Sequence, residues 1–291
     1  MWVIYAAALL LADYLDSHIA GDLTLPSFFL VPFLGGVLAA FFWRPLRPTI
    51  GQCALMTLLI TLIGIAGSAV VLHEGVVCLL IVSPLLYAFI LTGALLGRLW
   101  FRRDPSLLRL SILPLLALVT LAEPFTRSSR DAVSTDELVI HAPPDRVWQE
   151  VVAFPDIPTP ARFWLFRLGL PYPMSTTSEG GFVGAHRRCI FSGGAVFEET
   201  VAEFEPSHKL TFEIVESPPD PELINHLTPA RGQFELRDLG HGSTLLLGRT
   251  WYSLHVRPLW YFDAWTQHIF HAVHRRVMED VRVRAEAPPR P

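Results

Sequence analysis

The sequence predicts an all-α transmembrane bundle followed by an α+β domain, in which a curved antiparallel sheet packs against two short helices and a long C-terminal helix. Charge is sparse in residues 1–125 and ordinary after Arg130, so the two halves face different solvents. Hydrophobic residues make up 51% of the 291 residues and charged residues 17%, whereas about a quarter is usual in soluble domains. The second half shows short alternating segments that end in one long amphipathic segment.

The apolar half contains four to five segments that could cross a bilayer, a step that requires about 20 mostly apolar residues. The first segment is short and carries Asp13 and Asp16, so it is either a span or an interfacial helix. It has no basic n-region, which argues against a signal peptide. The predicted helices of residues 1–123 cover approximately 2–20, 27–43, 50–72, 76–97 and 107–123.

The arginines of the apolar half predict its orientation. All six lie in two loops, 44–48 and 98–109, which two predicted spans separate. The loops therefore share one side, which the positive-inside rule makes cytoplasmic. We expect an integral protein of the cell membrane whose C-terminal domain is extracytoplasmic.

The spans themselves read mainly as an anchor. A transporter would place charged residues at mid-membrane, and these segments are almost free of charge. Small residues at Gly35-Gly36, Gly64/Gly67 and Gly93/Gly97 are of the kind that let helices approach closely.

The second half reads as a linker (124–135), a folded domain (136–287) and a short tail (288–291). Pro143-Pro144-Asp145 begins a short helix, and Pro155 follows its end. A second short helix is predicted at about 160–168. The predicted strands cover approximately 137–141, 182–191, 195–204, 210–216, 231–236 and 244–256, and the long helix covers 260–285.

The segment Val139-Ile-His-Ala-Pro-Pro-Asp-Arg-Val-Trp148, with a helix ending at Phe154-Pro155-Asp156, resembles the opening of the SRPBCC superfamily. This superfamily contains the START/Bet v 1-like and polyketide cyclase-like domains. The stretches 184–192 and 242–252 are similar as well, and the resemblance covers about 136–286. It implies a helix-grip fold with a hydrophobic ligand cavity, and it implies no single reaction, because the superfamily shares a fold and not one catalytic set.

Strand register supplies the polar candidates. If Gly193-Gly194 forms a two-residue hairpin loop, Arg187 faces Thr200 and Cys189 faces Glu198 across the two strands. Arg187 and Glu198 then become diagonal neighbours on the apolar, concave face. They are a polar anchor for a ligand head group, catalytic candidates, or a structural ion pair, since a buried charge must be paired or neutralised.

The predicted ligand site combines this strand face with the apolar face of the last helix. Tyr252 belongs to an aromatic cluster that lines the cavity mouth, lies at a membrane interface or is ordinary core. The residues expected to contact a ligand are Arg187, Cys189, Glu198, Tyr252, Phe262, Trp265, Ile269 and Val273.

No metal, cofactor or nucleic-acid partner is expected. His268, His271 and His274 lie three residues apart, so each step rotates about 60° around the helix and the three cannot converge on one ion. The net charge of −4 comes without a basic stripe. The expected partners are a lipid bilayer and a hydrophobic small molecule or lipid.

Three functions remain open. The first is a membrane-anchored binding module for a hydrophobic small molecule or lipid, which a cavity of about 300 Å³ or more with few polar groups would favour. The second is a cyclase- or hydrolase-like enzyme that uses Arg187 and Glu198 on an apolar substrate. The third is a sensory or structural membrane protein that binds another protein through an exposed apolar patch.

Overall fold

The computed structural model describes residues 25–71, 75–101, 129–222 and 226–288. The chain divides into two compact units. The first contains the apolar helices, and the second contains a sheet and the C-terminal helix. Each is described by itself.

Within the described residues of the first unit, three helices are long and apolar enough to cross a membrane. They agree closely with the predicted segments 27–43, 50–72 and 76–97, although the third runs four residues further than expected. The predicted helices 2–20 and 107–123 lie outside the described residues. The helices are α1 (Leu25–Trp43), α2 (Ile50–Val71) and α3 (Val76–Phe101).

Glycines allow α1 and α3 to touch backbone to backbone. A Cβ atom on Gly93 would lie 1.9 Å from the carbonyl oxygen of Phe33, and one on Gly36 would lie 2.0 Å from that of Ile90. Nothing described lies within 4 Å of a Cβ atom on Gly64 or Gly67. Gly36 and Gly93 therefore allow close packing of the two helices, whereas Gly64 and Gly67 do not have this role among the described helices.

The second unit is a seven-stranded, entirely antiparallel, curled sheet with strand order β1-β7-β6-β5-β4-β3-β2. A short helix follows β1, and a long helix ends the domain. This arrangement confirms the predicted fold class and is a helix-grip fold. The elements are β1 (Arg130–Ile140), α4 (Pro144–Val152), β2 (Pro173–Ser178), β3 (His186–Phe191), β4 (Val196–Glu205), β5 (Lys209–Glu216), β6 (Leu227–Gly240), β7 (Ser243–Leu254) and α5 (Leu259–Glu286).

Several boundaries differ from the prediction: β3 begins at His186 and not at 182, β6 covers Leu227–Gly240 and not 231–236, and no strand was predicted at β2. The linker predicted at 124–135 is wrong for residues 130–135, which form the first half of β1 and pair with β7. The second short helix predicted at 160–168 is only a 3₁₀ turn, Phe166–Leu168, which ends at Gly169 with φ +114°. Pro158 and Pro160 precede this turn and each lack the N–H that a helix interior uses.

The core lies between the concave face of the sheet and the two helices. Val147, Trp148 and Val151 of α4 and Met278 and Val281 of α5 are buried there. Helix α5 passes close to β7 at Gly248, where a Cβ atom would lie 3.1 Å from the sulfur of Met278 and 3.9 Å from Cγ of His274. This close passage brings the polar residues of α5 against the strand.

Candidate ligand-binding cavity

The turn between β3 and β4 contains three residues, not two. Ser192, Gly193 and Gly194 form it, both glycines have positive φ, and the amide of Phe191 donates to the carbonyl oxygen of Ala195 at 2.8 Å. Arg187 therefore pairs with Glu199 instead of Thr200. The predicted register is wrong by one residue, and a slip of one residue moves each side chain of a strand to the opposite face.

An ion pair between Arg187 and Glu199 lies inside the sheet's concave side. The two side chains are 2% and 4% exposed, and Nη1 of Arg187 donates to Oε2 of Glu199. The guanidinium also lies over the ring of Phe212, 4.4 Å from its centroid. Burial raises the pKa of Glu199, and the adjacent Arg187 offsets part of that rise.

The guanidinium of Arg187 also has a buried N–H group without a hydrogen-bond acceptor in the described part of the chain. Nε of Arg187 is buried and has no hydrogen-bond partner among the described residues. A buried N–H without an acceptor is costly, and most such groups in folded proteins have a partner. An acceptor atom on a bound molecule would remove that cost.

Glu198, the predicted candidate, lies on the outer face. Its carboxylate contacts Nε of Arg188 at 3.0 Å and Nε2 of His186 at 3.1 Å. It borders an open surface cleft of about 440 Å³ together with Glu216 and Pro218. Its assignment to the concave face followed from the wrong register, so the structure places Glu199 where Glu198 was expected.

A cavity of about 140 Å³ lies between the concave face of the sheet and α5. Arg187, Glu199, Gln233, Arg249, Thr250 and His274 are its polar lining residues. Its other lining residues are apolar side chains, apart from one glycine and one thiol: Phe154, Leu170, Pro171, Pro173, Cys189, Phe191, Phe197, Phe212, Ile214, Leu227, Pro229, Gly232, Phe234, Ile269, Phe270, Val273 and Val277.

Half of the eight predicted ligand residues line this cavity: Arg187, Cys189, Ile269 and Val273. Glu198 does not, for the reason of register, and neither do the three aromatic residues. Tyr252 is buried beside the cavity, where its hydroxyl donates to Oδ1 of Asp263 at 2.7 Å. That position is ordinary core.

Phe262 and Trp265 lie too far toward the start of α5. They sit about two turns and one turn before Ile269, the first residue of the helix that lines the cavity. Trp265 instead packs edge-on against Trp164, with 6.4 Å between ring centroids. Phe262 and Trp265 were predicted on the correct face of α5, but helical periodicity does not indicate where along the helix axis the cavity ends.

Cys189 is a wall residue and not a nucleophile. Burial raises the pKa of its thiol far above the ordinary range, and the nearby Glu199 raises it further. The thiolate is the reactive form of cysteine, so this side chain remains a neutral thiol.

A polar group that the sequence analysis missed lies at the cavity's edge, where His274 connects two strands. Its Nδ1 is 2.7 Å from Oδ2 of Asp136 on β1, and its Nε2 is 2.7 Å from Oγ1 of Thr250 on β7. Nδ1 of His271 also contacts the Asp136 carboxylate, at 2.8 Å. Burial pushes the pKa of Asp136 upward, but the hydrogen bonds from the two histidines outweigh it and hold that pKa below its ordinary value.

The sequence did carry a signal for this group. Asp136 alternates with Ser134 and Leu138 along β1, which is the pattern of one strand face, but the polar residues before it read as a linker. The spacing of the histidines on α5 indicates which of them share a helix face but not which residue of β1 they contact. Among the described residues, no three His, Cys, Asp or Glu side chains are arranged to hold a metal ion.

Comparisons with known proteins give structural similarity only. The chain matches no protein-family model and no curated protein. It is similar to a protein of Nitrosospira multiformis (15% identity, TM-score 0.37, 54% of this chain and 97% of that one). It is also similar to XoxI of Bacillus cereus (18%, 0.37, 53% and 95%) and to truncated norcoclaurine synthase of Thalictrum flavum (17%, 0.36, 55% and 98%).

Proposed function

We propose that the protein is a membrane-anchored helix-grip domain that binds a small, mostly apolar molecule carrying one hydrogen-bond acceptor, such as a carboxylate or carbonyl oxygen. The observation that carries this proposal is Nε of Arg187, which has no partner in the part of the chain that the structure describes and belongs to a residue that lines a mostly apolar cavity. The apolar walls supply affinity for a ring or a short chain. The guanidinium supplies the polar contact that orients it.

The size of the cavity limits the ligand. Its volume of about 140 Å³ is below the 300 Å³ or more expected for a pocket that holds a drug-sized ligand. It is close to the volume of an engineered apolar cavity in another protein, about 150 Å³, which binds benzene. We therefore propose a single-ring or short-chain ligand in place of a whole lipid.

The outer surface of the first unit supports the anchoring part of the proposal. Leu55, Leu59, Leu62 and Ile63 of α2 are each more than half exposed. Soluble monomers seldom expose a contiguous apolar surface of this kind, whereas lipid tails cover it without cost. The hydroxyl of Thr61 donates to the carbonyl oxygen of Thr57 at 2.9 Å, so it needs no water there.

The test uses the full chain in lipid nanodiscs with phenylacetate as the probe and ethylbenzene as a matched probe without an acceptor. A ligand that binds only the folded state raises the unfolding temperature. We expect phenylacetate to raise it more than ethylbenzene does. Val273→Phe should fill the cavity and abolish both effects, whereas Val283→Phe, at an exposed position of the same helix, should leave both unchanged.

Arg187→Lys tests the polar contact separately. It keeps a positive charge for Glu199 but has no donor at the Nε position, so the advantage of phenylacetate over ethylbenzene should fall about tenfold in affinity, the loss expected when one hydrogen bond to a charged group is removed. Equal responses of Val273→Phe and Val283→Phe to phenylacetate would reject the cavity as the binding site.

A further inference from the structure

The hydrogen bonds of His274 have the order found in hydroxyl-nucleophile sites. Asp136 as a carboxylate can only accept a hydrogen bond, and its lowered pKa favours that form. Nδ1 of His274 therefore carries a proton at the 2.7 Å contact with Asp136, which in the neutral imidazole leaves Nε2 as an acceptor. The Thr250 hydroxyl, 2.7 Å from Nε2, then donates its proton to the imidazole.

The position of this chain of groups suits chemistry on a bound molecule. Thr250 and His274 both line the apolar cavity, and His274 is only 6% exposed. A base held by a carboxylate and hydrogen-bonded to a hydroxyl beside a substrate-sized space is the arrangement that activates a nucleophile.

Ser134 provides a second, independent observation. It pairs directly with Thr250 across β1 and β7, it is fully buried, and its Oγ has no hydrogen-bond partner among the described residues. Directly opposed residues on one face of a sheet have Cβ atoms about 5 Å apart. An uncommitted hydroxyl donor therefore lies next to Thr250.

We propose that Thr250, His274 and Asp136 form an acyl-transfer site for small, mostly apolar esters, with Thr250 as nucleophile, His274 as general base and Asp136 as the positioning residue. This proposal rests on the binding cavity of the proposed function and adds a reaction to it. Ser134 donates to the carbonyl oxygen as negative charge develops there.

Water is the only reagent that the reaction requires besides the ester. Oγ of Thr250 forms a bond to the ester carbonyl carbon while His274 takes the hydroxyl proton. The carbon–oxygen bond to the alcohol breaks, and His274 returns the proton to the leaving alcohol. Water, deprotonated in the same way, then attacks the acyl-threonine ester and releases the carboxylic acid.

The experiment incubates the full chain in nanodiscs with p-nitrophenyl acetate and records p-nitrophenol release together with the mass of the protein. We expect a burst of p-nitrophenol and one acetyl group per chain, located on Thr250 by peptide mass spectrometry. Thr250→Val should remove the acetyl group, and Thr250→Ser should retain it. The control is Thr135→Val, on the exposed outer face of β1.

Two further variants separate catalysis from folding. His274→Gln and Asp136→Asn should each lower the acylation rate constant about 10²-fold or more with little change in the half-saturating ester concentration, whereas His208→Gln, at an exposed histidine, should not. Ser134→Ala removes a hydroxyl that has no partner in the described part of the chain, so the stability should not fall while acylation slows about 10²-fold.

A wild-type protein that forms no acetyl adduct on Thr250 overturns the proposal, as does an adduct that persists at the same site and rate in His274→Gln. If phenylacetate binds and no adduct forms, the acyl-transfer site is rejected and the binding function stands. If the adduct forms and phenylacetate does not bind, the acyl-transfer site stands and the proposed ligand class is rejected.

Discussion

At the scale of single residues, β3 and β4 carry two ion pairs in neighbouring registers with opposite environments. Arg187 and Glu199 are buried on the concave side, whereas Arg188 contacts Glu198 on the outer face, where the Arg188 side chain is 51% exposed. Removing one partner of a buried pair leaves the other charge without compensation. An exposed pair is weak, because water already solvates both groups.

We therefore expect Arg187→Met to lower the free energy of unfolding of the sheet domain by about 3–5 kcal/mol. The double variant Arg187→Met/Glu199→Met should recover most of that loss, because no charge then remains buried. Arg188→Met should cost about 0–1 kcal/mol. Denaturant unfolding in nanodiscs measures all three, and a double variant as unstable as Arg187→Met would contradict the argument.

A second residue-scale prediction concerns pH. The hydrogen bonds from His274 and His271 hold the pKa of Asp136 below its ordinary value in the folded chain, and the unfolded value is about 3.9. A carboxylate with a lowered folded pKa stabilises the fold above the unfolded pKa, and this stabilisation disappears as the pH falls through the folded pKa.

Asp136→Asn should therefore destabilise the protein at pH 7 and pH 5, and the difference from wild type should shrink as the pH falls below the unfolded pKa of about 3.9. Unfolding temperatures measured across this range provide the test. Asp131→Asn, at an exposed position of the same strand, is the control. A wild-type advantage that stays constant as the pH falls below about 3.9 would show that the carboxylate charge is not responsible.

The sequence predicts the residues of the candidate site only where it predicts the pairing register of β3 and β4 correctly. Alternation along β3 correctly placed Arg187 and Cys189 on the concave face. Because the turn includes one extra residue, Ser192, the glutamate on the concave face is Glu199 and not Glu198. The local sequence does not distinguish a two-residue glycine turn from a three-residue one. The contact between Asp136 and His274 joins residues 138 positions apart in the sequence. Periodicity within one strand or helix does not predict a contact between such distant residues.

At the scale of elements, the fold class followed from patterns that burial imposes. The apolar helices and α5 were predictable because lipid or a core selects long runs or a regular apolar stripe. β2 was missed, since Pro173-Met-Ser-Thr-Thr-Ser178 is an edge strand with mostly polar residues. The first half of β1 was missed because its concave residues, Ser134 and Asp136, are polar, and the α5 histidines that contact Asp136 are far away in sequence.

The glycines of the apolar helices give the element-scale prediction. Gly93→Ala should destabilise the helical unit, because its Cβ atom would lie 1.9 Å from a backbone oxygen, which the helices can accommodate only by moving apart. Gly67→Ala should be neutral or stabilising by up to about 1 kcal/mol, because alanine is the better helix former and the space is open. An SDS titration followed by circular dichroism measures both, and equal midpoints would contradict the packing.

At the scale of the whole molecule, one hydrogen bond relates the two arginine groups that predict the orientation. Nε of Arg98, near the end of α3, donates to the carbonyl oxygen of Pro48 at 2.9 Å. Pro48 ends the loop that holds Arg44 and Arg47. These three arginines therefore lie at one end of the helical unit, as the sequence requires if two spans separate their loops.

The orientation itself remains a prediction. The positive-inside rule assigns that end to the cytoplasm, and a span at 107–123 would then place the helix-grip domain on the opposite side. Alkaline phosphatase folds only where its disulfides form, outside the cytoplasm, so we expect an active enzyme when it is fused after Pro291. Fusions after Pro48 and after Arg103 should instead be inactive, and green fluorescent protein at the same three positions should give the reverse pattern. Phosphatase activity after Arg103 but not after Pro291 would show that the orientation is the opposite of the predicted one. Activity at neither position would show that residues 107–123 do not cross the membrane. In either case the apolar cavity would have to take its ligand from the cytoplasm.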